Sequence, residues 1–558
     1  MRRAMKMALD AAHQRDGEIY TYGPLIHNQQ AIDLLRSRQI EIIQDSTRAG
    51  SGLIIIRAHG VTPEIRAALI QAGARICDAT CPHVARAQNL IQKFTTQGYH
   101  GIIIGDKGHA EVVGLLGYAQ GNASVVETIE DVRALPSSDK VFVVAQTTQS
   151  EELFREVSQA IEARYPDAKI FNTICRATEM RQEEAIELAR QVDLMVVVGG
   201  RESANTRRLV ELCTGQGTPT VHIETADELQ ADTLERYATI GVTAGASTPH
   251  WVIRNVVEAL EALQRRRKPL VSRLVHHLFT LLIYSQLFLA LGAAALTFAA
   301  SRLMGIEPKF YNSLLAFFYV LAMHVLNKQL SLPKDRSLCY GALKFFSRYQ
   351  PILMSMGVGG LCFSLLLSST LSTSVLVLML ISIGLGIIYS LAIVPHGWLA
   401  GLRYRRLMDI PGSKDLFMAA AWAVVVVLVP FIKEGPLVWP PMFFTAAFVF
   451  LLVLMRSIVF DNRDIEGDIT LGKETLPIVL GARRTMILLQ VFIAVLGLIL
   501  ITGYALGHLP LSALYLLLVV VFAAIGSLVR FRQEFYQSVH YDGLVDSQFI
   551  LAGLLSVL

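Results

Sequence analysis

Residues 1–262 alternate strand-like apolar runs with stretches whose apolar residues recur every three or four positions. Four of the runs end in polar loops: "LIIIRAHGV", "GIIIGDKGHAE", "LMVVVGGRESAN" and "IGVTAGAS". Such runs, interleaved with helical periodicity, predict an α/β region with largely parallel strands. The opening dozen residues also read as a helix, with Ala4, Met5, Ala8 and Leu9 at amphipathic spacing, yet no N-cap, turn or strand precedes them.

After residue 268 the pattern becomes a series of long apolar runs. About 20 apolar residues cross a bilayer as a helix. Crossings are predicted at 274–299, 310–326, 351–369, 374–394, 416–432, 441–459, 485–506 and 511–529. A ninth begins near Gln548 and runs to Leu558. The resulting division is 1–262, a basic linker at 263–273, and a membrane domain at 274–558.

Charge sharpens this division. Of 46 acidic residues, 33 lie in the first 268 positions, and 349–402 and 485–529 contain no Lys, Arg, Asp or Glu. Basic residues gather in alternate loops: "QRRRKPLVSR" before the first crossing, then Lys328 to Arg348, Arg403 to Lys414, Arg463 to Arg484, and Arg530 with Arg532. The opposite loops hold Arg302, Lys309 and Lys433. The positive-inside rule therefore predicts a multi-pass protein of the inner (cytoplasmic) membrane with residues 1–268 in the cytoplasm. No apolar h-region opens the chain, so no secretory signal is expected. Six cysteines in this length make no disulfide framework, which fits a reducing cytosol. A net charge of +4 gives no case for nucleic acid as a partner.

Ligands of open α/β sheets bind beyond the carboxyl ends of the strands, which makes His59, His109, Glu111, Ser203, Asn205 and Ser247 candidates. Converging His, Ser, Thr and Asn side chains suit a diphosphate. No GxGxxG or Walker sequence supports a dinucleotide or ATP. Cys81 in "DATCPHVA" and Cys175 in "FNTICRATEMRQ" stand at element boundaries without a CxxC pair, which argues against a zinc knuckle. The bland alternatives are inert thiols and structurally satisfied histidines.

In the membrane half, "FDNRDIEGD" spaces Asp461, Asp464 and Asp468 by three and four, on one helix face at the end of a crossing. Three such carboxylates suit Mg²⁺ shared with a diphosphate, the alternative being a solvated loop. "DNRDIEGDITLGKETLPIVLG" resembles the second aspartate motif of UbiA-type membrane prenyltransferases, and "GLRYRRLMDIPGSKDLFMAAAW" resembles that family's second cytoplasmic loop. The resemblance implies nine helices, Mg²⁺, and transfer of a prenyl group from a polyprenyl diphosphate to an acceptor. The family's first motif maps onto "NKQLSLPKD", with Asn327 and Asp335 in place but Ser331 where an aspartate is expected, so the first metal position is degraded.

"GPLIHNQQ", "RAHGV", "DATCP", "GDKGHAEVVG", "AQTTQS", "NTICRAT", "GGRESANTRRL" and "GVTAGASTP" together resemble the 4-hydroxy-3-methylbut-2-enyl diphosphate reductase family, in the family's order through residues 1–262. The resemblance implies three α/β units around a central [4Fe–4S] cluster held by three cysteines, of which Cys81 and Cys175 match two. It further implies that His27, His59, His109, Thr147, Ser203, Asn205 and Ser247 contact an allylic diphosphate, with Ala204 replacing a usual serine, and that Glu111 supplies a proton. An external ferredoxin or flavodoxin would donate electrons. The family's first strand and first cysteine loop would stand in front of Met1, so a start placed too late is expected. Cys77 and Cys213 are read as structural thiols. The leading expectation is a reductase fused to a prenyltransferase-like membrane domain. The competing one is a non-catalytic membrane-anchored scaffold lacking the third cysteine and the first aspartate motif.

Overall fold

A computed structural model of the chain describes residues 2–14, 17–26, 28–230, 234, 236–265, 269–331, 345–390, 410–435, 438–465, 468, 475–528 and 538–558. It separates into two compact units, Met1–Arg267 and Lys268–Leu558.

The first unit contains three parallel sheets. The first has the order β2-β1-β3-β4, with β1 at Ile19–Tyr22, β2 at Ile40–Ile43, β3 at Leu53–Ile56 and β4 at Arg75–Asp78. The second is ordered β6-β5-β7-β8, from β5 (His100–Ile104), β6 (Ala123–Val126), β7 (Val141–Ala145) and β8 (Lys169–Ile170). The third is β10-β9-β11, from β9 (Leu194–Val198), β10 (Thr220–Ile223) and β11 (Ile240–Ala244). Every pairing is parallel. Ile102–Ile104 and all residues of β7 and β9 are buried, as strands covered on both faces must be. This is the α/β architecture the apolar runs predict.

Helices alternate with these strands: α1 (Arg2–Gln14), α2 (Gln29–Ser37), α3 (Pro63–Gln71), α4 (Pro82–Thr95), α5 (Ala110–Tyr118), α6 (Glu151–Arg164), α7 (Arg176–Ala189) and α8 (Ala204–Gly215). Many start immediately after a strand-end loop, on a residue that caps the first turn. Asn28, Thr62 and Ser150 each accept a hydrogen bond from a first-turn amide of their helix. Strand, short loop and capped helix thus repeat, so the loop residues lie at the carboxyl edge of each sheet.

In the second unit five helices are long and apolar enough to cross a membrane: Phe310–Gln329, Gln350–Leu371, Ser413–Glu434, Trp439–Arg463 and Ala482–Ala505. The run predicted as one crossing at 274–299 is instead two helices, Leu270–Tyr284 and Leu287–Leu303, bent by 66°. Gln286 between them adopts a left-handed backbone, φ 66°, and its side-chain amide donates to Ile283 O at 3.1 Å, which ends the first helix. Counting that pair as one span gives six. Thr373–Tyr389 and Ser512–Leu528 are shorter apolar helices. Among the described residues, then, there are five or six candidate spans, where the apolar runs predict nine crossings. Residues 391–409 and 529–537 lie outside those described.

The last helix also differs from the prediction. It spans Val539–Leu555 and so begins well before the apolar run at Gln548. The added turns carry Asp542 and Asp546, and each has an arginine partner on the helix Trp439–Arg463. Arg456 donates through Nε and Nη2 to the two oxygens of Asp546, at 2.6 and 3.3 Å, and both side chains are about nine-tenths buried. Arg463 pairs with Asp542. A carboxylate in this setting is tolerable only with such a partner.

Breaking a buried pair strands a charge, typically at about 3–5 kcal/mol, while replacing both members by apolar residues is often neutral. Asp546→Ala should therefore lower the thermal unfolding temperature of the detergent-purified chain sharply. The double variant Arg456→Met, Asp546→Leu should recover most of the loss.

Candidate functional site

The predicted site residues of the first unit lie at strand ends, and several stand immediately before a helix. His109 precedes α5 and its Nδ1 accepts from Glu111 N at 3.2 Å. Ser203 precedes α8 and its Oγ accepts from Thr206 N at 3.4 Å. Cys81 and Cys175 occupy the same position before α4 and α7, but neither thiol is used as a cap. Each half-buried sulfur therefore stands at a helix N-terminus, where the aligned peptide dipoles favour negative charge.

One network ties these positions together. Glu111 is 1 % exposed. Its Oε1 accepts from Thr147 N at 2.7 Å and its Oε2 from Thr147 Oγ1 at 2.9 Å. His59 Nδ1 lies 3.7 Å from the same Oε2, and the His59 and His109 rings meet edge-on with centroids 5.2 Å apart. The cysteines join through the backbone: Cys175 N donates to Thr147 O at 2.9 Å, and Cys81 N to Ala58 O, next to His59, at 2.9 Å. Burial pushes the Glu111 carboxyl up, but the contacts with His59 and Thr147 outweigh it and leave the group below the ordinary carboxylate range. Burial and the neighbouring His59 hold His109 below the usual imidazole value.

The third sheet contributes a second group. Ser247 Oγ donates to Ser203 Oγ at 3.1 Å. Asn205 is 4 % exposed, and neither end of its amide has a hydrogen-bond partner among the described residues. A buried amide in that state is costly unless a ligand completes it. Gly245 lets the loop after β11 close here, because a Cβ would collide with Thr206 Oγ1. Arg208 Nη2 donates to Gln149 Oε1 at 2.9 Å, joining α8 to the loop after β7. His27 lies outside the described residues. Of the other cysteines, Cys213 is buried and its thiol points at Ala185 O, 3.8 Å away.

The membrane unit holds a separate acidic cluster. Asp461 Oδ1 lies 3.1 Å from Lys414 Nζ. Asp464 ends the helix and meets Arg463 Nε at 2.9 Å. Asp415 is buried and accepts from Ser457 Oγ. Asp468 is also buried. Asn327 is described, on the helix Phe310–Ser331, whereas Asp335 falls outside the described residues. Lys414 and Asp415 were not among the predicted site residues. Their signal was adjacency, a charged pair opening an otherwise apolar helix. No three metal-ligating side chains gather at one point among the described residues.

Comparison with known proteins matches two different families to two stretches of the chain. The family profile described as LytB protein matches residues 1–261, and that of the UbiA prenyltransferase family matches 334–539. A 4-hydroxy-3-methylbut-2-enyl diphosphate reductase of Geobacter sulfurreducens is 42% identical over 268 residues, covering 48% of this chain and 95% of the relative. Another, from Aquifex aeolicus, is 40% identical over 266 residues, covering 47% and 92%. Among solved structures, a UbiA homolog from Archaeoglobus fulgidus bound to GPP and Mg²⁺ is 15% identical, with 49% of this chain and 99% of that one covered and a TM-score of 0.36.

A carboxyl whose folded pKa is depressed adds stability that is present above its unfolded value and lost as pH falls through the folded value. Glu111 should thus contribute fully above about pH 5 and progressively less below about pH 4. Thr147→Val removes one donor. It should lower the unfolding temperature by the equivalent of about 1 kcal/mol at pH 6 and by less at pH 3.5. Equal losses at both values would show that Glu111 is not held ionised by this bond.

Proposed function

This chain belongs, through residues 1–261, to the LytB family, and from that premise we propose that its first unit reductively removes the hydroxyl group of 4-hydroxy-3-methylbut-2-enyl diphosphate. The reaction takes up two electrons and two protons. The allylic C–O bond breaks, oxygen leaves as water with one proton, and the other proton ends on carbon to give isopentenyl or dimethylallyl diphosphate. The observation that carries this reading is the Glu111 network: the carboxyl accepts twice from Thr147, whose carbonyl accepts from Cys175 N, and it faces His59, whose neighbour Ala58 accepts from Cys81 N.

The donor chemistry of Cys81 and Cys175 fits two ligands of a [4Fe–4S] cluster: half-buried thiols, free of capping duty, at two helix N-termini. When bound, such a cluster supplies single electrons and a Lewis-acidic iron for the substrate oxygen. Asn205, Ser203 and Ser247 form the neutral half of an anion clamp, and Asn205 Nδ2 gains the acceptor it lacks when a diphosphate oxygen reaches it. His59 and His109 form the imidazole half, edge-on to each other beside Glu111. Binding a diphosphate adds negative charge beside Glu111, which raises the carboxyl's proton affinity and prepares it to act as the acid. Thr147 fixes the orientation of that carboxyl through both oxygens. The electrons would come from an external ferredoxin or flavodoxin.

For the second unit we propose a UbiA-type, multi-pass domain of the inner membrane that engages a prenyl diphosphate on the side where basic loops gather, with the first unit in the cytoplasm. The match at 334–539 supports binding at that end, where Asp461, Asp464 and Asp468 would reach a diphosphate through a bridging Mg²⁺. Among the described residues, Lys414 lies beside Asp461 and Arg463 beside Asp464.

The full chain, reconstituted anaerobically with iron and sulfide, should turn brown and reduce the substrate with an artificial one-electron donor. Glu111→Gln should keep the colour and bind substrate, but lose about 100-fold or more in kcat. Wild-type turnover by that variant would remove Glu111 from the role of acid, and a colourless wild type would remove the cluster.

A further inference from the structure

The loops after β5 and β9 are built to one plan. "GDKGHAE" at 105–111 and "GGRESAN" at 199–205 align position by position, so that Lys107 matches Arg201, His109 matches Ser203, and Glu111 matches Asn205. The neighbouring strand in each sheet, β6 or β10, ends in an acidic turn, "ETIED" at 127–131 or "ETADE" at 224–228. The contacts between loop and turn also repeat. Lys107 N donates to Glu127 Oε1 at 2.5 Å, and Arg201 N to Glu224 Oε1 at 2.6 Å. Lys107 Nζ meets Asp131 at 3.2 Å, and Arg201 Nη2 meets Glu228 at 2.7 Å. Behind these, Asp131 accepts from Glu127 N at 2.9 Å and Glu228 from Glu224 N at 2.8 Å, closing both turns.

The two kinds of contact differ in weight. The lysine and arginine side chains are more than half exposed, and ion pairs of that kind contribute little. A carboxylate on a backbone N–H is charge-assisted and fixes the main chain itself. Glu224 has an additional link, since its carbonyl accepts from Gln30 Nε2 at 3.0 Å, on α2 of the first sheet's layer.

We infer that Glu127 and Glu224 are positioning residues, each fixing through one loop amide the register of a substrate-facing loop: Glu127 that of His109 and Glu111, Glu224 that of Ser203 and Asn205. The inference rests on the reductase reading for what the loops touch, but not for how they are held. It gives the two matching staples different kinetic signatures, because their loops carry different groups. Loss of the Glu127 contact misplaces the acid together with the clamp's His109, so it lowers kcat and also raises KM. Loss of the Glu224 contact misplaces the neutral half of the anion clamp and raises KM.

The test compares Glu127→Ala, Glu224→Ala and the corresponding Gln variants, which keep an acceptor oxygen, in the full chain. Hydrogen–deuterium exchange should show faster exchange, by about tenfold, at 105–110 in Glu127→Ala and at 199–204 in Glu224→Ala, each confined to its own loop. Inorganic pyrophosphate should bind about tenfold more weakly to Glu224→Ala, with Glu224→Gln close to wild type. Steady-state kinetics with an artificial reductant should show kcat lowered only in Glu127→Ala and KM raised in both alanine variants. Unchanged loop exchange in both alanine variants would overturn the inference. So would a common loss of kcat, KM and unfolding temperature, because that is what a purely structural role produces. A wild type without turnover would end the reductase reading, and the exchange and pyrophosphate measurements would still decide the inference.

Discussion

A carboxylate withdrawn almost wholly from water must collect hydrogen-bond donors, and the first unit is arranged around meeting that need for Glu111. Its donors come from the loop after β7 of its own sheet, and the histidine facing it comes from the loop after β3, so the network closes only where two sheets bring their carboxyl edges together. The same loops continue into the backbone bonds that seat Cys175 and Cys81. Placing the acid and placing the thiols are thus one structural problem. A shift in either sheet edge disturbs both.

Helix starts are the local device that solves it. A residue at the head of a helix has its backbone direction fixed by the first turn and its side chain at the end of the dipole. His109 and Ser203 use their side chains partly to cap, while Cys81 and Cys175 leave theirs uncommitted. Charge and geometry at these positions therefore come from secondary structure rather than from extra polar residues. Few ionised groups need to be buried beside Glu111 as a result.

Much of this was legible in the chain. Apolar runs ending in His59, His109, Ser203 and Ser247 locate the carboxyl edges, because a strand buried on both faces leaves a continuous apolar signal and its loop does not. The acidic turns at Glu127 and Glu224 were not legible as partners, since ordinary surface glutamates look the same until β6 and β10 are set beside β5 and β9. In the membrane unit, hydropathy registers the apolar run at 274–299 but not a left-handed Gln286 that breaks it. It also starts the last helix at Gln548, because Asp542 and Asp546 lower the local hydropathy that their arginine partners make tolerable. Patterns confined to one segment could be read from sequence, whereas pairings between distant segments could not.

Those partners bear on how the chain is assembled. A helix with two aspartates enters a bilayer poorly alone, since an unpaired carboxylate weighs against insertion. Val539–Leu555 is synthesised after Trp439–Arg463, whose Arg456 and Arg463 lie 90 and 79 residues before the aspartates they neutralise. Its entry is therefore best completed after Trp439–Arg463 has been delivered, so the two helices have a built-in order of insertion, with Val539–Leu555 latching onto the earlier one.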